Sequence, residues 1–220
     1  MNSGFPEGIT ILSVNVGKAE PISGAKPSGL TGIFKRSITC ADITSLGLSG
    51  DAIVDTANHG GPDQAVYVFT RPDYEWWSRK LGETLDPGTF GENLTLSELE
   101  SATLHIGDRL RVGNVLLEIT APRVPCVTIA ARMKDPQFVR KFREAERPGV
   151  YCRVLLAGRV CRGGSVTYMP YEGPRVTVLE FYRAFFRRDL TNAELKRFLS
   201  VPIPNKIRPY YQDLLSSAFE

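Results

Sequence analysis

Short apolar runs, broken by glycine, proline and charged residues, fill the first two thirds of the chain. In ITILSVNVG the apolar side chains of Ile9, Ile11, Val14 and Val16 lead into a glycine, the pattern of a strand lying on a core. AVYVFT (Ala65 to Thr70) is a second compact strand. RLRVGNVLLEITA predicts a hairpin with its turn at Gly113-Asn114 and a return strand from Val115 to Ala121. GVYCRVLLAGRV and GSVTYMP predict two more strands. Two helices interrupt the series. RPDYEWWSRKLG has Pro72 near its start and Gly82 as its stop. DPQFVRKFREAERPG has Asp135 as N-cap, Pro136 in the first turn and Pro148-Gly149 as terminator. Many short strands with few helices predict a barrel-like β domain with inserted helices.

The pattern changes near Tyr171-Glu172-Gly173-Pro174, where three helical segments begin. In TVLEFYRAFFRRD, Val178, Phe181, Tyr182 and Phe185 share one face. TNAELKRFLS opens with a capping box from Thr191 to Glu194, and NKIRPYYQDLLSSAF carries Pro209 early in a helix. So short a stretch makes a thin core alone, so these helices are expected to dock on the β domain. The aromatic stripe Phe181, Tyr182, Phe185 and Phe186 has the spacing of a buried helix face, with a docking surface as the alternative. The division expected is a β domain over residues 1–171 and a three-helix domain over residues 172–220.

Composition adds limits. The 220 residues suit one large domain or a domain with an appendage, and a net charge of +3, spread along the chain, does not mark a nucleic-acid binder. No apolar run approaches the roughly 20 residues of a membrane helix. The N-terminus has neither a basic leader nor a cleavage site, so a cytoplasmic protein is expected. None of the four cysteines (Cys40, Cys126, Cys152 and Cys161) belongs to a Cys-x-x-Cys pair, which argues against zinc-ribbon and iron–sulfur ligation. In a cytosolic chain of this size disulfides are not expected either. The two histidines, His59 and His105, are too few for a multi-histidine metal site.

The chemistry gathers in a few loops. In APRVPCVTIAARM, Pro125 imposes an extended lead-in to Cys126 between a strand and a helix. Most free cysteines are core filler. A thiol at a strand end, at a helix start and near Arg123 is instead placed to ionise and to bind a soft metal or carry a sulfur adduct. NHGGPDQAVYVF is at least a tight turn. It also allows backbone amides and His59 to approach an anion. In FGENL, Glu92 and Asn93 either cap a turn or bind the edge of a heterocycle. In AKPSGL, Lys26 and Ser28 are either solvated or hold a phosphate. LGLSGD supplies Asp51, an acid of unassigned purpose.

Taken in order, ILSVNVG, AKPSGL, GLSGD, NHGGPDQAVYVF, FGENLT, IGDRLRVGNVLLEIT and PRVPC, followed by a three-helix tail, resemble the MOSC domain family in its YiiM-like branch. The resemblance runs from about Ile9 to Ala218. It implies a mainly β, α+β fold: a MOSC β-barrel with a C-terminal three-helix domain. It implies a molybdenum–pterin cofactor with Cys126 as the protein ligand to molybdenum. Lys26, Ser28 and Arg123 become candidates for the cofactor's phosphate, and His59 and Asn93 become lining residues. The implied activity is two-electron reduction of small N-hydroxylated compounds, such as N-hydroxylated purines, to amines, a detoxification chemistry. Asp51, Asp63 and Glu92 are candidate proton relays. With no ferredoxin-like cysteine cluster and no Gly-x-Gly-x-x-Gly fingerprint in the sequence, a separate flavoprotein or iron–sulfur protein would supply electrons. Two other readings stay open: a persulfide sulfur carrier using the same cysteine, and a binder of anionic small molecules without catalysis.

Overall fold

A computed structural model describes residues 7–24, 29–56 and 59–217. Lys26 and Ser28 lie outside these described residues. Along the chain come strands β1 (Ile11–Gly17), β2 (Glu20–Pro21), β3 (Leu30–Thr31), β4 (Lys35–Ile38), β5 (Cys40–Thr44), β6 (Gly47–Leu48) and β7 (Val66–Thr70). Helix α1 (Arg71–Leu81) follows, then β8 (Leu94–Leu96), β9 (Arg109–Val112) and β10 (Val115–Pro122). Helices α2 (Val127–Arg132) and α3 (Phe138–Ala145) precede β11 (Val150–Leu156), β12 (Gly158–Cys161) and β13 (Val166–Met169). Helices α4 (Val178–Ala184), α5 (Asn192–Leu199) and α6 (Arg208–Ser217) close the chain.

The predicted hairpin is present: Val112 faces Val115 and Arg111 faces Leu116 across β9 and β10. Every residue of β10 is buried, because β9 and β11 flank it and α4 packs on it. Helix α1 has Pro72 in its first turn, and Gly82 takes the left-handed conformation that ends it. The capping box at Thr191 and Glu194 is formed, and a second joins Thr177 to Glu180. Helix α3 starts later than Asp135. Gln137 is its N-cap, and Asp135 instead closes a preceding turn by accepting from the Gln137 amide at 2.9 Å.

The expected barrel is corrected to an open sheet. Eight strands run in the order β13-β9-β10-β11-β7-β8-β1-β4, with no ladder joining β13 to β4. Both edges of β1 are occupied, by β4 and by β8. Only the start of β1 reaches the β13 side, through the Thr10–Ser165 bridge and the Ile11 amide donating to Gly164 at 2.9 Å. GVYCRVLLAGRV is also two strands rather than one. β11 lies in the large sheet, whereas β12 leaves it to join β5 and β6.

That second sheet carries a further correction. Cys40 and Cys161 face each other across β5 and β12 and form a disulfide, despite a sequence separation of 121. Nothing local in the sequence announces the pair; the strand register creates it.

The main core gathers Ile11, Val14, Val68, Leu117, Ile119 and Val150 from the large sheet with Phe181, Leu195, Phe198 and Tyr211 from the tail. The three C-terminal helices therefore dock as expected. Phe181 and Tyr182 are buried, in keeping with the core reading of the aromatic stripe. A second core lies under α1, α2 and α3, where Trp77 stacks on Phe138 and Phe142 beside Phe90. The cleft described next opens between the large sheet and the loops around this second core.

Candidate active site

Strand β10 ends at Pro122, and the segment Arg123-Val124-Pro125 carries the chain to Cys126, the N-cap of the short helix α2 with an extended backbone. The cysteine is half-buried. It opens onto a cleft continuous with solvent, whose walls include Thr31, Lys35, Asp51, His59, Tyr67, Arg123, Thr128 and Tyr151.

His59 reaches the same point from the other wall, with Nε2 3.7 Å from the Cys126 sulfur. Gly60 and Gly61 behind it both have positive φ, 74° and 79°. A Cβ on Gly60 would also come within 2.9 Å of Ile53. The Gly-Gly pair thus makes the turn that carries His59 over the cleft. The opposite wall depends on another close approach: a Cβ on Gly32 would lie 1.9 Å from the Ala52 carbonyl oxygen, next to Asp51.

The thiol is tuned by its surroundings. Burial raises its pKa, but the hydrogen bond with His59, the charge of Arg123 and the Thr128 hydroxyl outweigh that effect and bring it down to about 6. A sulfur with this value is largely thiolate at neutral pH. Arg123 is buried, lies over the Tyr67 ring at 5.1 Å and donates through Nη1 to the Phe90 carbonyl. Its Nε is buried with no hydrogen-bond partner.

On the far wall the Lys35 ammonium pairs with the Asp51 carboxylate, both nearly buried. Burial lowers the Lys35 pKa, against the pull of Asp51. Asp51 also accepts from the Gly17 amide at 2.8 Å and from Asn93 Nδ2 at 2.9 Å.

The sequence-derived candidates therefore separate. Cys126, His59 and Arg123 converge on one point. Asn93 lines the cleft, but its carboxamide is already engaged: Oδ1 accepts from the Tyr67 amide at 3.0 Å, and Nδ2 donates to Asp51. Of the three acids, Asp51 lines the cleft. Asp63 is paired with Arg153 at 2.7 Å. Glu92 is fully buried beneath the cleft floor, where its Oε1 accepts from Tyr74 at 2.7 Å, Gly88 at 2.6 Å and Thr95 at 2.8 Å. Burial raises the Glu92 pKa. Sequence reading missed Lys35, Thr128 and Tyr151. The first sits in FKRSITC, which looks like an ordinary basic strand, and only the tertiary pairing with Asp51 distinguishes it.

Among the described residues no group of three or more His, Cys, Asp and Glu side chains could hold a metal ion. A metal bound at Cys126 would bring most of its other ligands with it. The orphaned Arg123 Nε, in the same cleft as the Cys126 sulfur, fits a polar group that enters from the cleft. No helix among the described residues is long and apolar enough to cross a membrane.

Comparison with known proteins agrees with this architecture. The chain is 32% identical, over 88% of its length and 88% of the relative's, to the uncharacterized protein YflK of Bacillus subtilis. It is 27% identical over 80% of its length to a protein named reductase from Gibberella moniliformis, of which it spans only 32%. The crystal structure of YiiM from Geobacillus stearothermophilus has the same fold, with a TM-score of 0.77 at 22% identity over 94% of this chain and 99% of that one. The family described as MOSC domain matches residues 55–167, a span that includes His59, Asn93, Arg123 and Cys126. The chain belongs to the MOSC domain family.

Proposed function

We propose that the chain is a molybdenum-cofactor-dependent reductase that converts small N-hydroxylated compounds, such as N-hydroxylated purines, to amines. The observation that carries this reading is the position of the Cys126 sulfur, half-buried in the cleft it shares with His59 and Arg123 and 3.7 Å from His59 Nε2. Membership of the MOSC domain family and the relative named reductase support it.

The balanced reaction is R–NHOH + 2 e⁻ + 2 H⁺ → R–NH₂ + H₂O. The N–O bond breaks, an N–H bond forms, and the oxygen leaves as water. When bound, the molybdenum–pterin group supplies the two-electron chemistry at the metal. The chain contributes the rest. Cys126 provides a soft anionic ligand. His59 orients that sulfur through its hydrogen bond. The orphaned Nε of Arg123 would donate to a polar edge of the cofactor, the Thr128 hydroxyl would support the Cys126 thiolate, and Lys26 and Ser28 remain candidates for the cofactor's phosphate. The Lys35–Asp51 pair, with a proton on Nζ, stands on the facing wall where protons are consumed. The two electrons come from a flavoprotein or an iron–sulfur unit outside these residues. Detoxification of N-hydroxylated bases is the role that fits this reaction.

Metal analysis of the chain, produced with its native cofactor supply, tests the proposal. The expected outcome is ~1 molybdenum per chain, with loss of both metal and N-hydroxypurine reduction in Cys126→Ser, because the thiolate is the ligand. Labile sulfane sulfur on Cys126 in a chain that takes up no molybdenum would replace this reading with that of a sulfur carrier.

A further inference from the structure

The loop that carries His59 is held at its far end by the C-terminal helical unit. Four residues beyond His59, Asp63 reaches away from the cleft. Its Oδ2 accepts from the Asn205 backbone amide at 2.6 Å, and its Oδ1 accepts from Arg153 at 2.7 Å and from Asn205 Nδ2 at 3.5 Å. Arg153 in turn donates to the Ile203 carbonyl at 3.3 Å. The next residue of the loop, Gln64, lines the cleft and accepts from Lys206 Nζ at 3.4 Å. The Thr120 hydroxyl holds the Asp63 carbonyl from β10 at 2.6 Å.

This short segment therefore has two ends with different tasks. His59 meets the Cys126 sulfur at one end. At the other, Asp63 and Gln64 meet Asn205 and Lys206, which precede α6 and lie outside the span matched by the MOSC family. Between them stand Gly60 and Gly61 at positive φ, and Gly61 opens a single 3-10 turn over Pro62–Gln64, whose Gln64 amide donates to the Gly61 carbonyl at 3.0 Å, so a short ordered turn links Asp63 to His59. The His59 amide donates to the Asp55 carbonyl at 2.9 Å on the near side, and the turn needs a second anchor on the far side if its histidine is to stay near the sulfur. The Asp63 side chain supplies that far anchor, with only 13% of its surface exposed.

We infer that Asp63 is a positioning residue for His59, and that the Asn205–Lys206 segment of the helical unit completes the active site by clamping the His59 loop. The inference rests on the cleft being the working site, not on which reaction runs there. Its test therefore stays informative even if the molybdenum reading fails.

The test compares the full chain with Asp63→Ala, with Asp63→Glu as the conservative variant and with Asp42→Asn as a control at an exposed ion pair. Amide hydrogen exchange is followed across residues 59–65, and iodoacetamide alkylation of Cys126 is timed at pH 7. Asp63→Ala is expected to speed exchange in residues 59–65 by about tenfold while leaving α1 unchanged. It is also expected to slow Cys126 alkylation about fivefold, because the His59 ring no longer stands 3.7 Å from the sulfur. Asp63→Glu should recover part of both effects, and Asp42→Asn should match the parent chain. If Asp63→Ala does not fold, Asn205→Pro removes the amide that Asp63 accepts and should give the same pair of changes. Unchanged exchange in residues 59–65 would overturn the inference. So would faster exchange with alkylation within twofold of the parent, since a purely structural role would give that result.

Discussion

Cys126 shows how one side chain acquires a chemistry from its neighbours. Burial alone would hold its proton on, yet the His59 contact and the Arg123 charge leave the thiol at about 6. Alkylation of Cys126 followed against pH should therefore rise with an inflection near 6. In His59→Ala it should move toward the roughly 8.5 of a free thiol. The same depression is linked to stability. A thiol more acidic in the fold than in the unfolded chain stabilises the fold fully above the unfolded value, and that contribution disappears as pH falls through about 6. The melting temperature of the parent relative to Cys126→Ser should accordingly improve between pH 5 and pH 9, and a flat difference would contradict the assignment. Asn93 is the opposite case. Its amide joins Tyr67, Asp51 and Asn15 inside the fold. Asn93→Ala should cost about 2–4 kcal/mol in urea unfolding, since it strands several buried partners. Cys126, His59 and Arg123 were legible because prolines and glycines mark their loops. Lys35 was not, because a lysine in a polar strand looks solvated until its direct pairing with Asp51 on the cleft wall is seen.

At the level of elements, the hairpin of β9 and β10, helix α1 and the capped helix α5 follow from local signals: a Gly-Asn turn, a proline start with a glycine stop, and a Thr-x-x-Glu box. What the sequence hides is which sheet a strand joins. β11 and β12 are separated by Ala157 alone, yet they belong to different sheets. That divergence places Cys161 opposite Cys40 and closes a loop with a sequence separation of 121. The entropy of a loop that long makes the cross-link worth up to about 5 kcal/mol. Thiol titration of the unfolded, unreduced chain should find only Cys126 and Cys152 reactive. Reduction should lower the melting temperature, and Cys40→Ser should show the same lowered value with or without reductant. Four titratable thiols in chain kept from reductant would refute the pairing.

For the whole molecule, the question is whether the β part stands without its tail. The composition break near residue 171 suggests a separable unit, but the packing argues for dependence. Val176, Val178, Phe181, Leu195 and Phe198 are each at most 2% exposed and belong to the same core as Leu117 and Ile119 of β10. Burying a large apolar side chain contributes roughly 1.5–3 kcal/mol, so losing five of them removes an amount comparable to the roughly 5–15 kcal/mol by which a domain is typically stable. A chain ending at residue 171 should therefore lack a cooperative thermal transition, or expose enough apolar surface to aggregate. Phe181→Ala in the full chain should cost about 3–5 kcal/mol while the fold survives. Tyr182, the neighbour of Phe181, donates to the Phe142 carbonyl at 3.3 Å, so α4 also braces the second core behind the cleft. A truncated chain that melted cooperatively at the full-length temperature would show that the β part carries its own stability. The tail would then serve only as the clamp on the His59 loop.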